Sequence, residues 1–89
     1  MCREVELTNR KDLDKALVYA KPAEGMTSDL ISLLEQATVS VIKEHHECLA
    51  DDTQSYWEYS FYGGYGETLV CIHVNCMTEY SELVECELE

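Results

Sequence analysis

Residues 56–76 read YWEYSFYGGYGETLVCIHVNC, and the way this stretch alternates decides the fold. Trp57, Tyr59 and Phe61 alternate with Tyr56, Glu58, Ser60 and Tyr62. Beyond Gly63-Gly64-Tyr65-Gly66, Val70, Ile72, Val74 and Cys76 alternate with Leu69, Cys71, His73 and Asn75. Period two is the signature of a half-buried strand, and a glycine cluster between two such runs predicts a β-hairpin. Its apolar row, Trp57, Tyr59, Phe61, Val70, Ile72 and Val74, needs a cover.

The cover is expected just upstream. Thr27-Ser28-Asp29 offers a capping side chain and an acid at the start of a stripe formed by Leu30, Ile31, Leu34, Ala37, Val41, Ile42, His45 and Leu49. That spacing predicts a long amphipathic helix, stopped by Asp51-Asp52-Thr53. A shorter helix is expected before it, capped by Thr8 or Asn9, with Leu13, Ala16, Leu17 and Ala20 on one face and its end at Lys21-Pro22. Residues 22–25 are read as a connector. Arg3, Val5 and Leu7 alternate with Glu4 and Glu6 as a short first strand. Residues 84–89 alternate as a last one, although Tyr80, Leu83, Val84 and Leu88 also fit a helical stripe. Glutamates would oppose the dipole at a helix C-terminus, which favours the strand.

The expected fold is α+β, with two helices on one face of a three- or four-stranded, mainly antiparallel sheet in the order β-α-α-β-β-β. Eighty-nine residues suit a single domain over the whole chain, 1–89.

Charge is distributed unevenly. Residues 1–43 carry six basic and seven acidic side chains, whereas residues 44–89 carry eleven acidic and none basic. The net charges are −1 and −11, so almost all of the total of −12 belongs to the second half. Such a field repels nucleic acid and anionic membranes and attracts basic protein surfaces. Direct nucleic-acid binding and membrane association are therefore not expected. Five cysteines, an odd number, and a start Met1-Cys2-Arg3-Glu4 without an apolar signal segment suggest free thiols in a reducing cytosol. The expected location is cytoplasmic, the host cytosol if a phage encodes the chain.

Catalytic and metal chemistry find little support in the spacing. His45 and Cys48 share a face of the expected long helix. Cys71 and His73 share a strand face pointing away from the helices, so the two pairs would lie on opposite sides of the sheet and could not hold one zinc ion. No metal or cofactor is expected. A cysteine nucleophile needs a positive environment, and every thiol here lies among carboxylates or apolar residues. The acids look solvated rather than paired for acid–base work. No calcium-loop pattern is present. Gly63-Gly64-Tyr65-Gly66 lacks the lysine and Ser/Thr of a phosphate loop and joins two strands. The chain is not expected to be an enzyme.

What remains is a binding surface. Six of the eight aromatic residues lie between Tyr56 and Tyr65. Strand parity places Tyr56, Glu58 and Tyr62 away from the helices, beside Glu67, Leu69 and Cys71 on the paired strand. Tyrosine serves well as a contact anchor because it combines a large rigid area with a polar tip. Glu79, Glu82, Glu85, Glu87 and Glu89 form an acidic series. On a strand, carboxylates two residues apart are separated by roughly 6.6 to 6.8 Å, comparable to the contour spacing of phosphates along a nucleic-acid strand.

In size, acidity and order of elements the chain resembles the small inhibitors made by phages and mobile elements: uracil-DNA glycosylase inhibitor, anti-restriction proteins, anti-CRISPR proteins and nuclease immunity proteins. The resemblance is one of class and charge and involves no motif. It implies a non-enzymatic inhibitor that mimics nucleic acid and occupies a basic nucleic-acid-binding site on a nuclease or other effector. The expected contacts are Tyr56, Glu58, Tyr62, Tyr65, Glu67, Glu79, Glu82, Glu85, Glu87 and Glu89. The alternative is a dimeric adaptor or regulatory module that binds through the tyrosine-rich sheet face, which could also serve a homodimer.

Overall fold

The computed structural model describes residues 3–86. Its elements are β1 (Arg3–Leu7), α1 (Arg10–Ala20), α2 (Ser28–Ala37), β2 (Ser40–His46), β3 (Tyr56–Tyr62), β4 (Thr68–Asn75) and β5 (Ser81–Cys86), with a single 3-10 turn at Asp52–Gln54. The five strands form one antiparallel sheet in the order β1-β2-β3-β4-β5. Both helices lie between β1 and β2 in the chain and cover one face of the sheet. The α+β architecture is the expected one, with five strands rather than three or four.

The added strand is β2, which replaces the second half of the expected long helix. Thr27 caps α2 by accepting the Leu30 N–H, but the helix ends at Ala37. Thr38, Val39, Val41 and Ile42 then form a β-branched run, costly in a helix and favourable on a pleated surface. Val41 and His45 lie four apart, a spacing that puts them on one face of a strand as readily as on one stripe of a helix. The sheet resolves the ambiguity, because β2 pairs with β1 through Arg3↔His45 to Leu7↔Val41 and with β3 through Ser40↔Tyr62 to His46↔Tyr56.

The core forms where the helix stripes meet the apolar rows. Leu13, Ala16, Leu17 and Ala20 of α1, and Leu34 of α2, pack with Val41, Tyr59, Phe61, Val70, Ile72 and Val74. Asn9 caps α1 by accepting the Asp12 N–H at 3.0 Å. On the same face Trp57 packs against His45 in a tilted arrangement at 4.9 Å between ring centroids, and the Lys43 ammonium sits 4.5 Å above the indole. A β-bulge between Phe61 and Tyr62 makes Leu69 an extra residue, and it joins the core cluster instead of standing beside the tyrosines as simple parity predicted.

The tail is a strand as far as Cys86, with Glu87–Glu89 outside the described residues. A second bulge, between Cys71 and Ile72, leaves Val84 unpaired and exposed. The connector after α1 lies along the outer edge of β5. There the Glu24 N–H donates to Ser81 O at 2.9 Å, and the Leu83 N–H donates to Glu24 O at 2.8 Å. Part of that edge is thus closed to further strand pairing.

Candidate binding face

Because both helices pack on one side, the other side of the sheet is left open, and its residues follow from register. Glu4 faces Glu44, Glu44 faces Glu58, Glu58 faces His73, and His73 faces Glu82. One row across all five strands therefore reads Glu4–Glu44–Glu58–His73–Glu82. The next row reads Glu6–Ile42–Ser60–Cys71–Glu85. Flanking rows hold His46, Tyr56 and Asn75 at one end and Ser40, Tyr62 and Thr68 at the other. Six glutamates stand in these rows, and no lysine or arginine. Neighbouring strands are about 4.8 Å apart, so Glu4, Glu44 and Glu58 form a closely spaced line of carboxylates.

The centre of the face is organised by two histidines and a tyrosine. Tyr56 is sandwiched between imidazoles, with His46 at 4.8 Å and His73 at 4.3 Å between ring centroids. Glu58 lies between the same histidines. Its Oε2 is 3.0 Å from His73 Nε2 and its Oε1 is 3.8 Å from His46 Nε2. Glu44 Oε1 is closer to His46 Nε2, at 2.8 Å, yet it lies off the direction in which a ring N–H would point, and the buried nitrogen completes no hydrogen bond. Two groups of metal-type donors share Glu58. Glu44, His46 and Glu58 form one; Glu58, Cys71 and His73 form the other. In each, the donor atoms lie within 4.8 Å of one another.

Cys71 is buried and 3.8 Å from the Ser60 hydroxyl. Burial pushes its thiol up to about 11, opposed by the Ser60 hydrogen bond and reinforced by Glu58 and Glu85. At neutral pH the group is a thiol rather than a nucleophilic thiolate. An open groove of about 260 Å³, lined by Gln54, Tyr56, His73, Asn75, Tyr80 and Glu82, borders the cluster and is smaller than most small-molecule sites. Tyr80 closes one end of it through a hydrogen bond to Glu24.

Among the described residues the expected contacts divide into three groups. Tyr56, Glu58, Tyr62, Glu82 and Glu85 belong to the open-face rows. Tyr65 and Glu67 sit at the hairpin tip, where Tyr65 is 98% exposed and Glu67 accepts the Tyr65 N–H. Glu79 is displaced from both. It occupies the β4–β5 turn with φ of 62° and lines a surface pocket with Lys15, Val18 and Tyr19 on the helix side. Glu87 and Glu89 fall outside the described residues. Sequence reasoning placed His73 on this side of the sheet without counting it among the contacts, and missed Glu4, Glu6, Glu44 and His46 as members of the face. The alternation of Glu4 and Glu6 was a usable signal, but a helical assignment of residues 40–46 concealed Glu44 and His46.

Among the described residues no helix is long and apolar enough to cross a membrane. No protein-family model matches the chain, and no curated protein or solved structure matches it significantly.

Proposed function

We propose that the open face of the sheet is a docking surface for a basic protein partner, and that the chain is a non-enzymatic inhibitor occupying a nucleic-acid-binding site on a nuclease or similar effector. The observation supporting this reading is the segregation of charge across the sheet. Six glutamates occupy the open-face rows, whereas Lys43 packs on Trp57 on the opposite side and Arg10, Lys11 and Lys15 lie on α1. A mixed surface would scatter its lysines among the acids; here the open-face rows hold none, and the basic residues lie on the helix side together with acids such as Asp12, Asp14, Asp29 and Glu35.

A face of this kind draws a basic cleft in by long-range attraction and holds it in the register set by its row of carboxylates. Glu4, Glu44 and Glu58 repeat across adjacent strands at roughly 4.8 Å, and Glu4 and Glu6 lie two apart on β1 at roughly 6.7 Å, spacings that lysines and arginines positioned for a phosphate backbone can meet. Tyr62 and Tyr65, at the hairpin end, supply contact area. Tyr56 is already packed between two imidazoles, which favours charge over tyrosine anchoring as the basis of recognition.

The test is association rate and affinity as a function of ionic strength, for the wild type and for a Glu82→Lys, Glu85→Lys variant. The reading expects binding that weakens steeply with salt and falls at least tenfold in the variant. Salt-independent binding that survives both reversals would favour the dimeric adaptor instead.

A further inference from the structure

The cluster at the centre of the open face has a donor set that the charge argument does not use. His46 Nε2 is a buried ring nitrogen facing two carboxylates, with Glu44 Oε1 at 2.8 Å and Glu58 Oε1 at 3.8 Å, and it makes no directed hydrogen bond to either. A bare Nε2 would point its lone pair at negative oxygens, whereas an Nε2–H, in the neutral tautomer or the protonated ring, would be directed at one of them. The observed arrangement, a ring nitrogen without a directed hydrogen bond and two carboxylate oxygens within 4.8 Å of one another, is one that a divalent cation could join.

We propose that Glu44, His46 and Glu58 form a binding site for a divalent transition-metal ion of the zinc class. One nitrogen and two oxygens are ligands that zinc accepts, at bond lengths of about 2.0 to 2.2 Å, and a tetrahedral site then separates its donors by about 3.3 Å. The three donor atoms already lie within 4.8 Å of one another, so small side-chain rotations close the site. The three side chains are 28–32% exposed, which leaves water access to the fourth position.

The surroundings act as an outer shell. His73 Nε2 engages Glu58 Oε2 at 3.0 Å, which holds the carboxylate with Oε1 turned toward His46. Tyr56 stacks face to face on His46 with an interplanar angle of 12° and fixes the plane of that ring. The ion would also lie between Glu44 and Glu58, directly opposed carboxylates with no lysine or arginine in their row. Nothing in this assignment depends on a protein partner.

The experiment is a zinc titration of the wild-type protein followed by nitrogen-15 NMR of the imidazole rings, with calorimetry for stoichiometry. One zinc ion per chain is expected, with coordination shifts at Nε2 of His46 and none at His45. Glu58→Gln and His46→Gln should each weaken zinc binding at least tenfold, and His73→Gln should weaken it while leaving His46 as a ligand. An unshifted His46 Nε2 at saturating zinc would overturn the assignment, and this measurement needs no variant to fold. A thiolate charge-transfer band on substitution with cobalt would also overturn it, by placing the ion on cysteine.

Discussion

Glu44 on β2 stands directly opposite Glu58 on β3, and Glu4 on β1 stands directly opposite Glu44. Like charges in direct cross-strand register destabilise a sheet, typically by about 0.2 to 1 kcal/mol per pair. At the centre of the row His46 and His73 lie against the carboxylates. At the β1 edge Glu4 has no histidine in its row next to it.

Replacing Glu4 by Gln should therefore stabilise the metal-free protein by a few tenths of a kcal/mol at low ionic strength. The gain should shrink as salt is added, because exposed charges are screened over about 10 Å at 0.1 M. Urea titrations in the presence of a chelator, at low and high salt, measure both effects. A loss of stability in Glu4→Gln would mean that the row is held by contacts other than simple repulsion and its screening.

Alkaline pH should destabilise the fold through Cys71. Its thiol is raised from 9.0 to about 11 in the folded protein, mainly by burial. Stability is fully present below pH 9 and is lost as pH rises toward 11, because the unfolded chain releases the proton first. Two pH units correspond to a loss of about 2 to 3 kcal/mol. Tyr59, raised to about 12 chiefly by burial, extends the decline. Cys71→Val should flatten the part of the profile between pH 9 and 11, read from denaturation midpoints across that range.

Phe61 is fully buried where the hairpin meets the helices. Phe61→Ala should cost about 3 to 5 kcal/mol, as expected for a large cavity in a small core, and is enough to unfold a chain of this length at moderate temperature. Leu34→Ala, which removes the fully buried contact from α2, should cost about 2 to 5 kcal/mol. Circular dichroism melts separate these from the surface variants, whose effects stay within about 1 kcal/mol.

The hairpin was legible in the sequence because Trp57 to Phe61 and Val70 to Val74 alternate cleanly around a glycine turn, a pattern no helix shares. Strand β2 was not, because Ala37, Val41, His45 and Leu49 are four apart and satisfy both periods; what decides between them is the pairing with β1 and β3 on either side, a tertiary fact. The same ambiguity hid the binding face. With residues 40–46 read as helix, His46 could not be placed beside His73. Once β2 is a strand, His45 goes to Trp57 and His46 to Glu58. The bulge at Leu69 was likewise beyond reach, since an inserted residue leaves no mark on composition.

The measurement that tests the open-face account most directly is capture of partner proteins from nuclease-treated host lysates, with added duplex DNA or RNA as competitor. It compares the wild type, a Glu4→Lys, Glu82→Lys, Glu85→Lys variant of the open face, and a Glu79→Lys control on the helix side. The account predicts captured nucleic-acid-binding proteins that are displaced by the competitor, lost with the open-face variant and retained by the control. Partners held equally by all three chains, and indifferent to added nucleic acid, would contradict it.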